Sequence, residues 1–142
     1  MNRIHQSSAV PFRIRDGAPE YLLITNHKGH WIFPKGIIDP GETAVETAIK
    51  EAREEAGIQG RIVGAPIGTY TYEKWDSVLD VTVYLLEVQT EDAGWLEEGE
   101  RRRAWFRLGD ARSVMTNKKL LKVLEKAHAA LSAGMSPQPN KG

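Results

Sequence analysis

The chain contains no cysteine, which removes disulfides, thiolate nucleophiles and zinc–thiolate sites from consideration. It also lacks an excess of either charge, since 19 Lys and Arg balance 19 Asp and Glu over 142 residues. A balanced chain is not expected to coat nucleic acid or a membrane surface, which leaves local basic patches as the places where a small anion would be met. No apolar run approaches the length of a membrane span, and the first residues contain no signal-peptide core, so the expected address is the cytoplasm. There is no internal repeat. The length is that of one domain.

What is present concentrates in one stretch, residues 36–58, GIIDPGETAVETAIKEAREEAGI. Thr43 followed by Glu46 is a capping box and starts a helix, and Gly57 followed by Ile58 ends it, so the spacing predicts a helix over 44–56. Val45, Ala48, Ile49, Ala52 and Ala56 recur at three- and four-residue spacing and form its core stripe. Glu51, Glu54 and Glu55 fall within an arc of about 100°, centred roughly 120° from that stripe, with Lys50 and Arg53 on the other flank. A solvated face gains from alternating charge, whereas carboxylates at i, i+3 and i+4 repel one another unless a cation joins them. Oxygen ligands of this kind suit magnesium, which keeps several waters and adds substrate phosphates to its shell.

With those residues in view, the stretch resembles the signature of the Nudix hydrolase family, G-x5-E-x7-R-E-U-x-E-E-x-G-U with U aliphatic. Gly36, Glu42, Glu51, Glu54, Glu55, Gly57 and Ile58 stand at the required spacings. Lys50 replaces the family's arginine, which helps to hold a catalytic glutamate and has a planar fork that lysine lacks. Ala52 fills the first aliphatic position. The resemblance implies that Glu51, Glu54 and Glu55 bind Mg2+, or Mn2+ in its place, with the Gly36 carbonyl as a further ligand. It also implies that the catalytic residues are Glu54 as general base, Glu51 and the orienting Lys50.

Around this stretch the chain alternates strands and turns. Residues 1–7 are expected to be loosely held, and 8–15 to form a strand with Val10, Phe12 and Ile14 on one face and Arg13 and Arg15 on the other. Residues 21–24 read as a central strand and 31–33 as a short one ending at Pro34-Lys35-Gly36. Residues 59–72 read as an irregular strand in which Tyr70 and Tyr72 share a face. Residues 73–77 read as a hairpin tip and 78–88 as the strongest strand of the chain. An acidic segment, 90–103, turns basic at Arg101, Arg102 and Arg103. Residues 104–108 return as a strand, and Asn117 caps a second long helix running to Leu131. Residues 132–142 are expected to be a disordered tail.

This order predicts an α+β domain over 8–131 with a mixed β-sheet between helices, and the Nudix resemblance implies an αβα sandwich. Substrate contacts are expected from Lys35, next to the signature glycine, with Arg13, Arg15, Arg101, Arg103 and Tyr72 as further candidates. Glu98 and Glu100 are candidates for a late carboxylate at the metal. The partner is expected to be a small polyphosphate, with neither nucleic acid nor membrane involved. By resemblance this is a dinucleoside polyphosphate or a diphosphoinositol polyphosphate. The alternatives are a pyrophosphatase for damaged nucleoside triphosphates and a non-catalytic nucleotide sensor.

Overall fold

The computed structural model describes residues 1–135. Its strands are β1 (Asn2–Arg15), β2 (Ala18–Thr25), β3 (Trp31–Ile32), β4 (Lys35–Ile37), β5 (Ile58–Lys74), β6 (Ser77–Glu91) and β7 (Arg103–Arg107), and its helices are α1 (Ala44–Ala56), α2 (Leu108–Val114) and α3 (Lys118–Met135). They form one mixed sheet in the order β3-β2-β1-β6-β5, with β4 added beside β1 and β7 beside β2. The β1–β6 pair is parallel and the others are antiparallel. Alternation along the central strands sends alternate side chains to opposite faces. Ala9, Leu22, Ile24 and Leu86 pack against Ala48, Ala52 and Ala56 of α1. Val10, Leu23, Val83 and Leu85 pack against Leu120, Val123, Leu124 and Leu131 of α3. The result is the expected αβα layering, with alanines on α1 that let the helix approach the sheet closely. Among the described residues no helix is long and apolar enough to cross a membrane.

Three expectations are corrected. Residues 1–7 are ordered from Asn2, because the parallel ladder with β6 begins at Asn2–Ser77 and runs to Phe12–Glu87. The expected disordered tail starts too early, since 132–135 continue α3, and 136–142 lie outside the described residues. Val45, assigned to the core stripe of α1, is exposed at 36%, and Ile14, on the strand face of the buried Val10 and Phe12, is exposed at 45%. Pro11 lies inside the sheet, where a missing donor would normally break a ladder. The Ala9 N–H bonds to the Pro34 carbonyl at 3.2 Å, so Pro11 faces the same way, into the gap between β4 partnering through Ser8 and β2 partnering from Phe12.

Local chemistry sets the remaining boundaries. Thr43 and Glu46 make both bonds of the capping box, and Gly57 closes α1 at φ 66°. The β5–β6 hairpin turns at Trp75 and Asp76, both at positive φ, as a two-residue turn with right-handed strand twist requires. The register of β5 slips between Val63 and Gly68, which is the irregularity that its glycines and Pro66 predicted.

Candidate active site

The last turns of α1 lie beside β4, and their contact is very close. A β-carbon on Gly36 would fall 2.2 Å from Cδ of Glu51, so any other residue there would have to displace this carboxylate. Next to it, the Lys35 N–H donates to Glu55 Oε1 at 3.2 Å. Glu51 and Glu55 lie one turn apart on α1, and each carboxyl perturbs the titration of the other. Burial raises the Glu55 carboxyl to about 9, reinforced by the neighbouring Glu51 carboxyl and opposed by Arg101, whose Nη2 is 3.8 Å away. Burial also raises Glu51, with the Glu54 and Glu97 charges acting in the same direction. Two desolvated carboxylates in contact cannot both ionise without a counter-charge, so this pair holds a proton near neutral pH.

The other glutamates divide between two sides. Glu54 is half-buried, and its side chain forms no hydrogen bond or ion pair among the described residues. It lines a groove between α1 and residues 92–96 together with Lys50, Trp95 and Leu96. Glu97 joins the acidic pair from the 92–102 loop, with its N–H on the Glu54 carbonyl at 3.1 Å and its carboxylate on Arg101 Nε at 2.7 Å. Glu97 was missed in the sequence. Its i,i+4 spacing to Arg101 was the available signal, but Glu97, Glu98 and Glu100 look alike in a charged run. Glu100 lines the same cavity as Glu97, whereas Glu98 turns back toward Gly94.

No group of three or more His, Asp or Glu among the described residues is gathered closely enough to enclose a cation by itself. The donor chemistry nevertheless fits a hard divalent ion. All the candidates are oxygens, two are pressed together out of water, and a cation would replace the proton they now share. Waters and substrate oxygens would complete its shell, as magnesium prefers. Glu51 and Glu55 are the pair best placed to hold it, with Glu54 and Glu97 adjoining.

Lys50 lies outside this pair and beside it. Its Nζ is 2.8 Å from Glu42 Oε2, 3.1 Å from Asp39 Oδ2 and 4.0 Å from Glu51 Oε2. The Glu42 and Asp39 hydrogen bonds raise the lysine's pKa, and the Lys50 bond lowers that of Glu42. Lys50 therefore holds the loop before α1 against the helix and touches the acidic pair only at its edge.

Next to the pair opens a cavity of about 430 Å³, lined by Lys35, Lys74, Lys119, Arg101, Tyr70 and Tyr72 among others. The tyrosine rings stack at 6.3 Å and 27°, and Lys35 Nζ stands 5.2 Å from the Tyr72 ring centre. The Tyr72 hydroxyl donates to Gln6 Oε1 at 2.7 Å, while burial pushes the Tyr70 phenol up. None of the four cations except Arg101 is ion-paired among the described residues. The cavity thus combines free positive charge with a flat aromatic wall.

Three expected substrate residues are not in it. Arg13 bonds Glu20 at 2.7 Å and stacks over Trp105 at 4.1 Å, on the α1 face of the sheet. Arg15 is exposed beside the same Glu20. Arg103 donates to the carbonyls of Ala56, Gly57 and Asp92 and closes the end of α1. Strand alternation placed the first two on the face opposite Val10 and Phe12 without telling whether that face meets solvent or phosphate, and the third was decided by a contact 46 residues away.

The NUDIX domain profile matches residues 5–127. A bis(5'-nucleosyl)-tetraphosphatase [asymmetrical] from Sus scrofa is 31% identical over 125 residues, covering 84% of this chain and 85% of that one. Nudix hydrolase 13, mitochondrial, from Arabidopsis thaliana is 31% identical over 103 residues, 65% of this chain and 51% of that relative. The crystal structure of a C. elegans Ap4A hydrolase in a binary complex superposes with a TM-score of 0.80 at 28% identity, over 92% of this chain and 98% of that one. With the signature helix, the layered sheet and the family profile all coinciding, the chain belongs to the Nudix family of hydrolases.

Proposed function

We propose that the protein hydrolyses a phosphoanhydride bond of a dinucleoside polyphosphate in a magnesium-dependent reaction, with manganese able to substitute. The observation that carries this reading is the cavity of unpaired lysines and stacked tyrosines that opens on the desolvated Glu51–Glu55 pair. Lys35 and Arg101 sit where acid and cavity meet and would hold the phosphate chain as charged donors. Tyr70 and Tyr72 offer a flat face to a nucleobase. Lys74 and Lys119 add positive charge farther out, which favours a long polyphosphate over a short one.

Glu51, Glu54 and Glu55, with Glu97 and the Gly36 carbonyl as neighbours, would hold the divalent ion. When bound, such an ion neutralises phosphate charge and acidifies water. Glu54, free of internal partners, is the carboxylate able to accept the proton of the attacking water. Water oxygen then bonds to phosphorus as the bridging P–O bond breaks, and the leaving phosphate takes the electron pair.

The test is a panel of diadenosine tetra- and pentaphosphate, diphosphoinositol phosphates, nucleoside triphosphates, oxidised dGTP and ADP-ribose, with and without magnesium. Magnesium-dependent cleavage of the dinucleoside compounds above all others supports the proposal. Preference for a diphosphoinositol phosphate or a triphosphate overturns the substrate assignment. Binding without turnover in every case would make the protein a sensor, and an unchanged rate in Glu54→Gln would remove Glu54 as base.

A further inference from the structure

An α-helix ends with four carbonyls that have no partner within the helix, and in α1 those carbonyls belong to the turn carrying Glu54 and Glu55. All four are satisfied. The Arg53 carbonyl accepts from the Gly57 N–H at 3.0 Å and the Glu54 carbonyl from the Glu97 N–H at 3.1 Å. The Glu55 carbonyl accepts from Trp95 Nε1 at 3.0 Å, and the Ala56 carbonyl from Arg103 Nη1 at 2.9 Å. The same guanidinium reaches the Gly57 carbonyl at 3.1 Å and, through Nη2, the Asp92 carbonyl at 2.7 Å. Asp92 returns its own N–H to Gly57 at 2.7 Å. The Arg103 guanidinium carbon lies over Trp95, 3.9 Å from the ring centre. A β-carbon at Gly57 would strike both, at 2.5 Å from Arg103 and 2.7 Å from Trp95.

The segment that makes these bonds also carries Glu97 and Arg101 to the acidic pair. One clamp therefore joins the backbone of the glutamates to the backbone of their loop partners. We propose that Trp95 and Arg103 are positioning residues, which lock the last turn of α1 to the 92–102 loop so that Glu54, Glu55, Glu97 and Arg101 keep a fixed relation. Neither side chain lines the lysine and tyrosine cavity, and although Trp95 borders the Glu54 groove, its indole N–H is spent on the Glu55 carbonyl. The inference rests on the proposed role of these glutamates in the chemistry.

Two conservative variants separate positioning from simple stability. Trp95→Phe keeps the ring beneath the guanidinium and removes the donor to the Glu55 carbonyl. Arg103→Lys keeps the charge and loses the fork that spans three carbonyls. Both should lower kcat, by about 3- to 10-fold and about 10- to 100-fold respectively, because small misplacement of reacting groups is costly. KM should stay within about twofold, since the cavity is untouched. Independently of turnover, amide exchange at Glu97 should quicken by about tenfold in both, and Mn2+ affinity measured by calorimetry should fall.

Leu131→Ala serves as the stability control, because Leu131 is buried in the α3 core. It should lower Tm while leaving kcat, Glu97 exchange and Mn2+ affinity as in the wild type. The proposal is overturned if Arg103→Lys leaves kcat and Glu97 exchange unchanged, or if Leu131→Ala moves them equally. A wild-type protein that cleaves no phosphoanhydride refutes the proposed function, and exchange with Mn2+ affinity then decides the clamp alone.

Discussion

Glu51 fills the space that a side chain at Gly36 would need, with 2.2 Å between its carboxyl carbon and the place where a β-carbon of residue 36 would stand. The strand backbone of β4 thus forms one wall of the acidic pair. Gly36→Ala must push either β4 or the Glu51 side chain aside. The side chain is the softer of the two, so the variant should fold with a small loss of Tm and lose about 100-fold or more in kcat. Steady-state kinetics beside a thermal melt check this. Near-normal kcat would mean that the position of Glu51 does not matter.

The contrast between what the sequence disclosed and what it hid follows the distance over which each feature is decided. The α1 caps were legible because Thr43 and Glu46 lie three residues apart, and the β5–β6 hairpin because its turn and alternation are local. The β1 start was hidden because its pairing partner, Ser77 for Asn2, comes 75 residues later. Arg103 was misassigned for the same reason. The trio of glutamates was legible as a cluster, yet only packing divided it into a buried Glu55 with Glu51 half-buried beside it and a Glu54 that lines the groove along the 92–96 segment.

Lys50 marks where this chain departs from the family signature. Its ammonium serves Glu42 and Asp39 first and reaches Glu51 only at 4.0 Å. Arginine could serve Glu42 and Glu51 at once through its fork. Lys50→Arg should therefore preserve kcat or raise it by up to about tenfold, the worth of one charge-assisted bond. Lys50→Met leaves Glu42 without its cation and should lower kcat by about tenfold. If the two variants behave alike, Lys50 is merely a surface charge.

Lys35 reports on the polyphosphate grip. It lines the cavity close to Tyr72 and has no ion-pair partner among the described residues. Lys35→Met should raise KM for a dinucleoside tetraphosphate by about 10- to 100-fold, as expected for loss of a hydrogen bond to a charged group, with a smaller effect on kcat. The salt dependence of KM should flatten in the variant. An unaltered KM would place the phosphates elsewhere.

The Glu51–Glu55 pair makes a prediction about the metal-free protein that needs no substrate. Glu55 is raised from its ordinary 4.5 to about 9, chiefly by burial, and Glu51 moves in the same direction. Between pH 4.5 and about 9 the folded state keeps a proton that the unfolded state has released. Stability must then fall as pH rises through that window. Glu20, Glu42 and Glu125, lowered by their cationic partners, add a pH dependence only on the acid side of it. In chelator, Tm should therefore decline from pH 5 to 9. Glu55→Gln, neutral at every pH, should flatten the decline and raise Tm at pH 8.5. Millimolar Mg2+ should flatten it in the wild type, because a cation that binds only the folded state takes the place of the proton. A Tm that is level across this range in chelator, for wild type and Glu55→Gln alike, would show that the two carboxylates are not held together out of water.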